Sequence, residues 1–361
     1  MRRVLVAGCL LMGGAAAPLV AQQRRAVEVL GFADFNAFFT KRPGVADGFR
    51  SGQLAGHVSA ELTPRLGIFT EATATPTATG FNLEIERTIL RYDFSDALKL
   101  SAGRYHTPIS YWNTAFHHGQ WLQTTANRPE MIKFGGFFLP VHFVGILAEG
   151  AVGPGSLGLH YDAGVGNGRG ATISRAGDAG DVNNNRAWIT GLRVSPGDLR
   201  HLELGGAVYV DRVKPTAGAG VRERIFAGHV VWSSERPELI AEYANSRHEQ
   251  EGTGTTVHSE AGYVQLAYRL PGSADAFKPY GRWERVIVPP TDPLLGALTP
   301  NLNYTALIAG LRWDFAPVAA LKAEYRREKA NSATGYDTFV LQSSFTFPRW
   351  HEAAAGSPEA P

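Results

Sequence analysis

Beyond residue 25 the sequence alternates apolar and polar residues, and this pattern restricts the fold more than any other feature. Successive side chains of an extended strand point to opposite sides, so such a run offers one face to an apolar medium and the other to a polar one. Near the C-terminus Phe339, Leu341, Phe345 and Phe347 share one face, with Ser343 the exception, and Thr338, Gln342, Ser344 and Thr346 share the other. Leu307, Ala309, Leu311, Trp313 and Phe315 likewise oppose Gly310, Arg312 and Asp314. Leu321, Ala323 and Tyr325 oppose Lys322, Glu324 and Arg326. A soluble β-sandwich would alternate in the same way, so the connections must decide between architectures.

About sixteen such segments can be counted, an even number as single-chain bacterial barrels require. They fall near 26–34, 51–62, 65–74, 81–92, 97–104, 141–150, 156–165, 186–195, 201–211, 222–234, 237–247, 257–270, 276–287, 303–315, 318–329 and 336–347. Every second connection is a tight turn, at 63–64, 93–96, 151–155, 196–200, 235–236, 271–274 and 316–317. The intervening ones are mostly longer and rich in Gly, Pro, Asn and Thr, notably 105–140 and 166–185. Short turns on one rim and long loops on the other belong to transmembrane barrels; sandwiches and propellers have no reason to alternate them. The expectation is an all-β fold: a transmembrane antiparallel β-barrel of about sixteen strands with a long third extracellular loop. It would span residues 22–347 and carry a flexible tail at 348–361.

Composition agrees with this and removes other classes. The chain's 361 residues hold 35 Lys and Arg against 33 Asp and Glu, too balanced a charge to create the field a nucleic-acid partner needs. A membrane-spanning helix needs about 20 mostly apolar residues, and after the N-terminus no stretch supplies them. The best stretch, 134–147, is interrupted by Pro140 and His142. Residues 1–21 read as a signal peptide: Arg2 and Arg3 precede an apolar run at 4–20, and Leu19-Val20-Ala21 suits signal peptidase before Gln22. The paired arginines and the abrupt polar switch at Gln22 argue against a buried first helix. Cys9 ends a lipobox-like stretch, but cleavage there would leave too few apolar residues for export. Cleavage after Ala21 removes Cys9, the single cysteine, and with it any disulfide, thiol catalyst or thiolate metal site. Export together with a barrel places the protein in the bacterial outer membrane, in contact with its lipid.

In a water-filled barrel the charged residues of the polar faces are the working groups. Those on the polar parity are Lys99, Arg193, Glu242, Arg269, Arg282, Glu284, Arg312, Asp314, Lys322, Glu324 and Arg326. His57, Glu61, Glu84, Glu86, His160, Asp162, Glu203 and Asp211 join them. Opposite signs often stand two residues apart, as in Arg282/Glu284 and Arg312/Asp314. They can form a cross-strand ion-pair ladder or, less balanced, a selective charge ring. Outward aromatic residues such as Trp188, Trp232, Trp283, Trp313, Tyr325 and Phe347 suit the interfacial girdles of such a barrel.

Gly103-Arg104-Tyr105-His106-Thr107-Pro108 with the long aromatic loop behind it, the apolar strand after Pro140, residues 161–168 and the closing aromatic strand together resemble general and phosphate-selective bacterial porins. The resemblance covers most of the mature chain and implies sixteen strands, a homotrimer and a third extracellular loop folded inward to narrow the pore. Residues 105–140 are the third long loop in chain order. One departure is the segment that follows Phe347, where such barrels usually end.

On that reading the candidate constriction is the loop, in which Arg104, His106, His117, His118, Arg128 and Lys133 face only Glu130. Such an excess favours anions, which Arg and Lys bind through matched donors. Tyr111, Trp112, Phe116, Trp121 and Phe134 can pack the loop against the wall. Adjacent His117 and His118 face opposite ways and lack a third ligand, so no metal is assigned. Asp178, Asp181 and 183–185 lack an EF-hand pattern and read as a mobile loop. Residues 164–170 are glycine-rich but precede no helix that could hold a phosphate.

The function expected is passive entry of small hydrophilic solutes, including anions such as phosphate, without cofactor or chemical step. Rival readings are a lipase-type outer-membrane enzyme and an adhesive or structural barrel. No Gly-x-Ser-x-Gly elbow supports the enzyme. An energy-coupled receptor would need a plug ahead of the first strand.

Overall fold

The computed structural model describes residues 27–351 apart from 117, 134, 136, 154, 217, 299–301 and 331–333. The expected signal peptide, the tail beyond His351, His117 and Phe134 lie outside the described residues.

Among the described residues seventeen strands form a single antiparallel sheet. They are β1 (Val27–Thr40), β2 (Gly48–Ser51), β3 (Leu54–Thr63), β4 (Leu66–Thr77), β5 (Gly80–Ser95), β6 (Leu98–His106), β7 (His142–Val152), β8 (Leu159–Asn167) and β9 (Ala187–Val194). They continue as β10 (Leu202–Val213), β11 (Val221–Ser233), β12 (Glu238–Gln250), β13 (Thr256–Ala267), β14 (Phe277–Ile287), β15 (Tyr304–Ala316), β16 (Ala319–Ala330) and β17 (Tyr336–His351). Each pairs with its sequence neighbour except β2 with β3, and β1 pairs with β17 from Glu28↔His351 to Thr40↔Thr338, which closes the barrel.

The short β2 and β3 both pair with β1 and act as one strand broken at Gly52 and Gln53, so the wall has sixteen staves. Asp34 makes the break: its backbone carbonyl accepts from Gly52 N at 2.8 Å and its carboxylate from Gln53 N at 3.1 Å. A Cβ on Gly52 would lie 1.8 Å from that carboxylate, so any other residue would displace the Asp34 side chain.

The alternation resolves as read. Leu307, Leu311, Trp313 and Phe315 stand outward and exposed, and so do Leu321, Tyr325, Phe339, Leu341 and Phe347. Arg312, Lys322, Glu324, Arg326, Thr338, Gln342 and Ser344 point inward and are buried. An outer surface of this kind is stable only in lipid, since water would face a continuous apolar band. At both ends of the chain strands run farther than the pattern indicates. β1 continues from Phe35 to Thr40, where adjacent Phe38 and Phe39 obscure the alternation, and β17 extends to His351, past Phe347. Four of the seven connections on the short-turn rim are two to four residues long, and the opposite rim carries 107–141, 168–186 and 288–303.

Candidate functional site

Residues 107–141 fold into the barrel. The segment begins with Thr107-Pro108 and enters a short helix, α1 (Tyr111–Ala115), capped by the Ser110 hydroxyl, which accepts from Asn113 N at 3.4 Å. Asn113 draws the two stems together, its amide nitrogen donating to the carbonyls of Thr107 at 3.0 Å and Val141 at 2.8 Å. Trp112 is fully buried, edge-on to Phe116 and Tyr263, with the Arg282 guanidinium over its ring.

The wall grips the loop mainly through the loop's backbone, and the two signs of wall charge divide that work. Carboxylates take N–H groups. Glu242 accepts from Tyr111 N at 2.7 Å and Trp112 N at 2.9 Å, satisfying donors that a helix start leaves open. Glu324 accepts from Ala126 N at 2.9 Å, and Glu284 from Glu130 N at 2.7 Å. Cations take carbonyls. Arg282 donates to Asn127 O at 2.8 Å and Arg312 to the carbonyls of Trp121 and Gln123, both at 2.8 Å. Lys322 donates to Thr125 O at 3.0 Å and also to Gln120 O. Charge-assisted bonds of this kind contribute about 1.5–3 kcal/mol each, and a buried charge robbed of its partner costs at least as much. The loop is therefore a fixed part of the interior.

Several of the remaining wall residues form ion pairs. Arg193 meets Asp162 at 2.8 Å, Arg269 meets Glu235 at 2.6 Å and Asp314 at 2.8 Å, and Arg326 meets Glu284 at 3.2 Å. Lys99 lies in register between Asp93 and Glu149, which Arg91 joins at 2.7 and 3.4 Å. The interior thus combines a ladder of pairs with a set of loop clamps, the latter having no signature in sequence.

The basic groups expected at the constriction are likewise engaged, Arg104 from β6 and the others from the loop. Arg104 pairs with Asp178 at 2.7 Å and Glu86 at 3.5 Å, and Lys133 with Glu130 at 3.1 Å. Arg128 is buried and donates to Ile132 O at 3.1 Å. In the loop expected to be mobile, Asp178 holds Arg104 and Asp181 pairs with Arg186 at 2.6 Å. The glycine-rich stretch contains Arg169, whose guanidinium reaches Glu223 at 2.8 Å and the Phe138 carbonyl of the inner loop at 2.8 Å.

His106 and His118 come together with His142, a residue that sequence spacing did not single out. His106 ends β6 and His142 opens β7, paired across the ladder with rings 5.4 Å apart. His118 descends from the loop to 5.7 Å from the His106 ring and is buried, unlike a solvated loop histidine. Burial holds its imidazole below the ordinary value, against the pull of Glu86.

On the unclamped side of the loop a cavity of about 820 Å³ reaches the short-turn rim at Pro64. Arg87, Arg91 and Arg193 line it with Asp93, Asp162 and Glu203, and Tyr111 and His229 flank it. A wall carrying charges of both signs is what a passage for polar solutes requires.

No protein-family model matches the sequence, and no curated protein matches it. The barrel does match solved structures. An anion-selective porin from Comamonas acidovorans superposes with a TM-score of 0.65 at 11% identity, over 90% of this chain and 100% of that one. The outer membrane channel DcaP of Acinetobacter baumannii gives 0.63 at 11% identity, over 91% and 99%. The trimer form of OmpT, an outer membrane protein of Vibrio cholerae, gives 0.61 at 14% identity, over 90% and 99%. The chain has the fold of outer-membrane porins and channels.

Proposed function

We propose that this barrel is a porin of the bacterial outer membrane, a passive aqueous channel for small hydrophilic solutes without cofactor or chemical step. The observation that carries the reading is the lumen itself: a loop clamped against one arc of the wall leaves a charged cavity of about 820 Å³ along the other. Polar walls on the inside and an apolar band on the outside are the two conditions of a membrane channel. No Gly-x-Ser-x-Gly elbow favours the enzymatic alternative.

For selectivity we assign only a weak charge preference. A phosphate-type anion filter would need uncommitted cations, whereas Arg104 and Lys133 pair with carboxylates and Arg128 is buried within the loop, donating to Ile132 O. The cavity offers both signs. A homotrimer is the assembly this fold suggests, in keeping with the trimer form of the Vibrio cholerae protein. Liposome swelling tests the reading: vesicles holding the barrel should admit small sugars and exclude large oligosaccharides. Vesicles that swell no faster than protein-free ones would reject it.

A further inference from the structure

Three imidazoles converge beneath the loop, two from its stems and one from its descending arm. A ring nitrogen of each of His106, His118 and His142 lies within 4.8 Å of the other two. Nitrogens at about 2.0–2.1 Å from a tetrahedral ion stand about 3.4 Å apart, so small rotamer adjustments complete the site. Gly119 makes the approach possible: its φ is +92°, and a Cβ there would lie 2.9 Å from the Phe32 ring.

The surroundings orient the donors. The Gln53 amide nitrogen donates to Thr75 Oγ1 at 2.9 Å, which turns its oxygen toward His118 Nδ1. An amide oxygen only accepts, so Nδ1 carries a proton, and in the neutral ring Nε2 then has the lone pair. That Nε2 lies 3.6 Å from Glu86 Oε2, and His142 Nε2 lies 2.8 Å from the same oxygen. Glu86 is thus placed as a fourth donor. Glu71 stands 3.5 Å from His106 Nε2 and is held by His57 and Arg87, each at 2.6 Å, in the manner of an outer carboxylate that steadies a ligating histidine. Three nitrogens and one oxygen suit a borderline ion, since Mg²⁺ and Ca²⁺ prefer shells of oxygen.

We infer that His106, His118 and His142, with Glu86, bind a divalent transition ion of the Zn²⁺ class that fastens the loop to its own stems. The site needs only the folded barrel and is independent of the channel reading.

The test is titration of the detergent-solubilised barrel, without a histidine tag, with Co²⁺ and Zn²⁺. We expect one ion per chain and the intense visible bands of tetrahedral Co²⁺. His118→Gln and His142→Gln should each weaken binding by about tenfold or more. His258→Gln, on the outer face beside Asn245, should bind as the native chain does. Heat-dependent gel migration shows which variants fold. Should neither ligand variant fold, X-ray absorption at the Zn edge of the native chain decides: three imidazoles uphold the site and fewer overturn it. No uptake by the folded native barrel, or undiminished uptake by a folded ligand variant, would also overturn it.

Discussion

Glu324, on the inner face of β16, accepts the backbone N–H of Ala126 in the inner loop at 2.9 Å. The same carboxylate accepts from Asn127 Nδ2 at 3.1 Å and the Tyr280 hydroxyl at 3.0 Å, so one wall residue joins the loop and β14, two strands away. Glu324→Ala strands three donors and should cost about 3–5 kcal/mol, the scale for breaking a buried charged network. Chemical unfolding of the reconstituted barrel would read this loss. A change under 1 kcal/mol would mean the loop is held elsewhere.

Glu242→Gln tests the clamp on α1 more gently: Tyr111 N and Trp112 N use different oxygens of the carboxylate, and the amide keeps only one of the two. Hydrogen exchange at Tyr111 and Trp112 should quicken by about 10- to 100-fold, the equivalent of one lost charge-assisted bond. Amides of β14 to β17 should be unchanged.

Single cysteines test the register and the docking together. Leu311 and Leu321 face lipid, while Arg312 and Lys322 face inward beneath the loop. A charged maleimide should spare positions 311 and 321, and should reach 322 only slowly. Combining Lys322→Cys with Glu324→Ala should speed that labelling, because the loop's anchor is gone. Rapid labelling in the otherwise native background would place the loop outside the lumen.

Much of the barrel could be read from sequence because a wall between lipid and water writes its geometry into alternate residues, as Leu307 to Phe315 show. The sequence pattern shortens the first strand because Phe38 and Phe39 break the alternation, although both belong to β1. The loop clamps could not be read at all. Glu242 and Arg312 recognise backbone N–H and C=O groups, which every residue possesses. The histidine cluster was hidden for a different reason: His106 and His142 meet only because β6 and β7 pair in that register.

Selectivity should follow the cavity in preference to the loop's basic residues. Reversing Arg91 and Arg193 to Glu should shift the reversal potential toward cations at low salt, with the shift fading as salt screens it. Lys133→Glu, at a half-exposed residue already paired with Glu130, should change it far less. The opposite order would return the selectivity filter to the loop.

Single-channel recording tests the central claim most directly. Purified barrel added to a planar bilayer should produce discrete, stable steps whose current is proportional to voltage and rises with salt concentration. A barrel shown by heat-dependent migration and protease protection to be folded and inserted, yet giving no steps, would contradict the account.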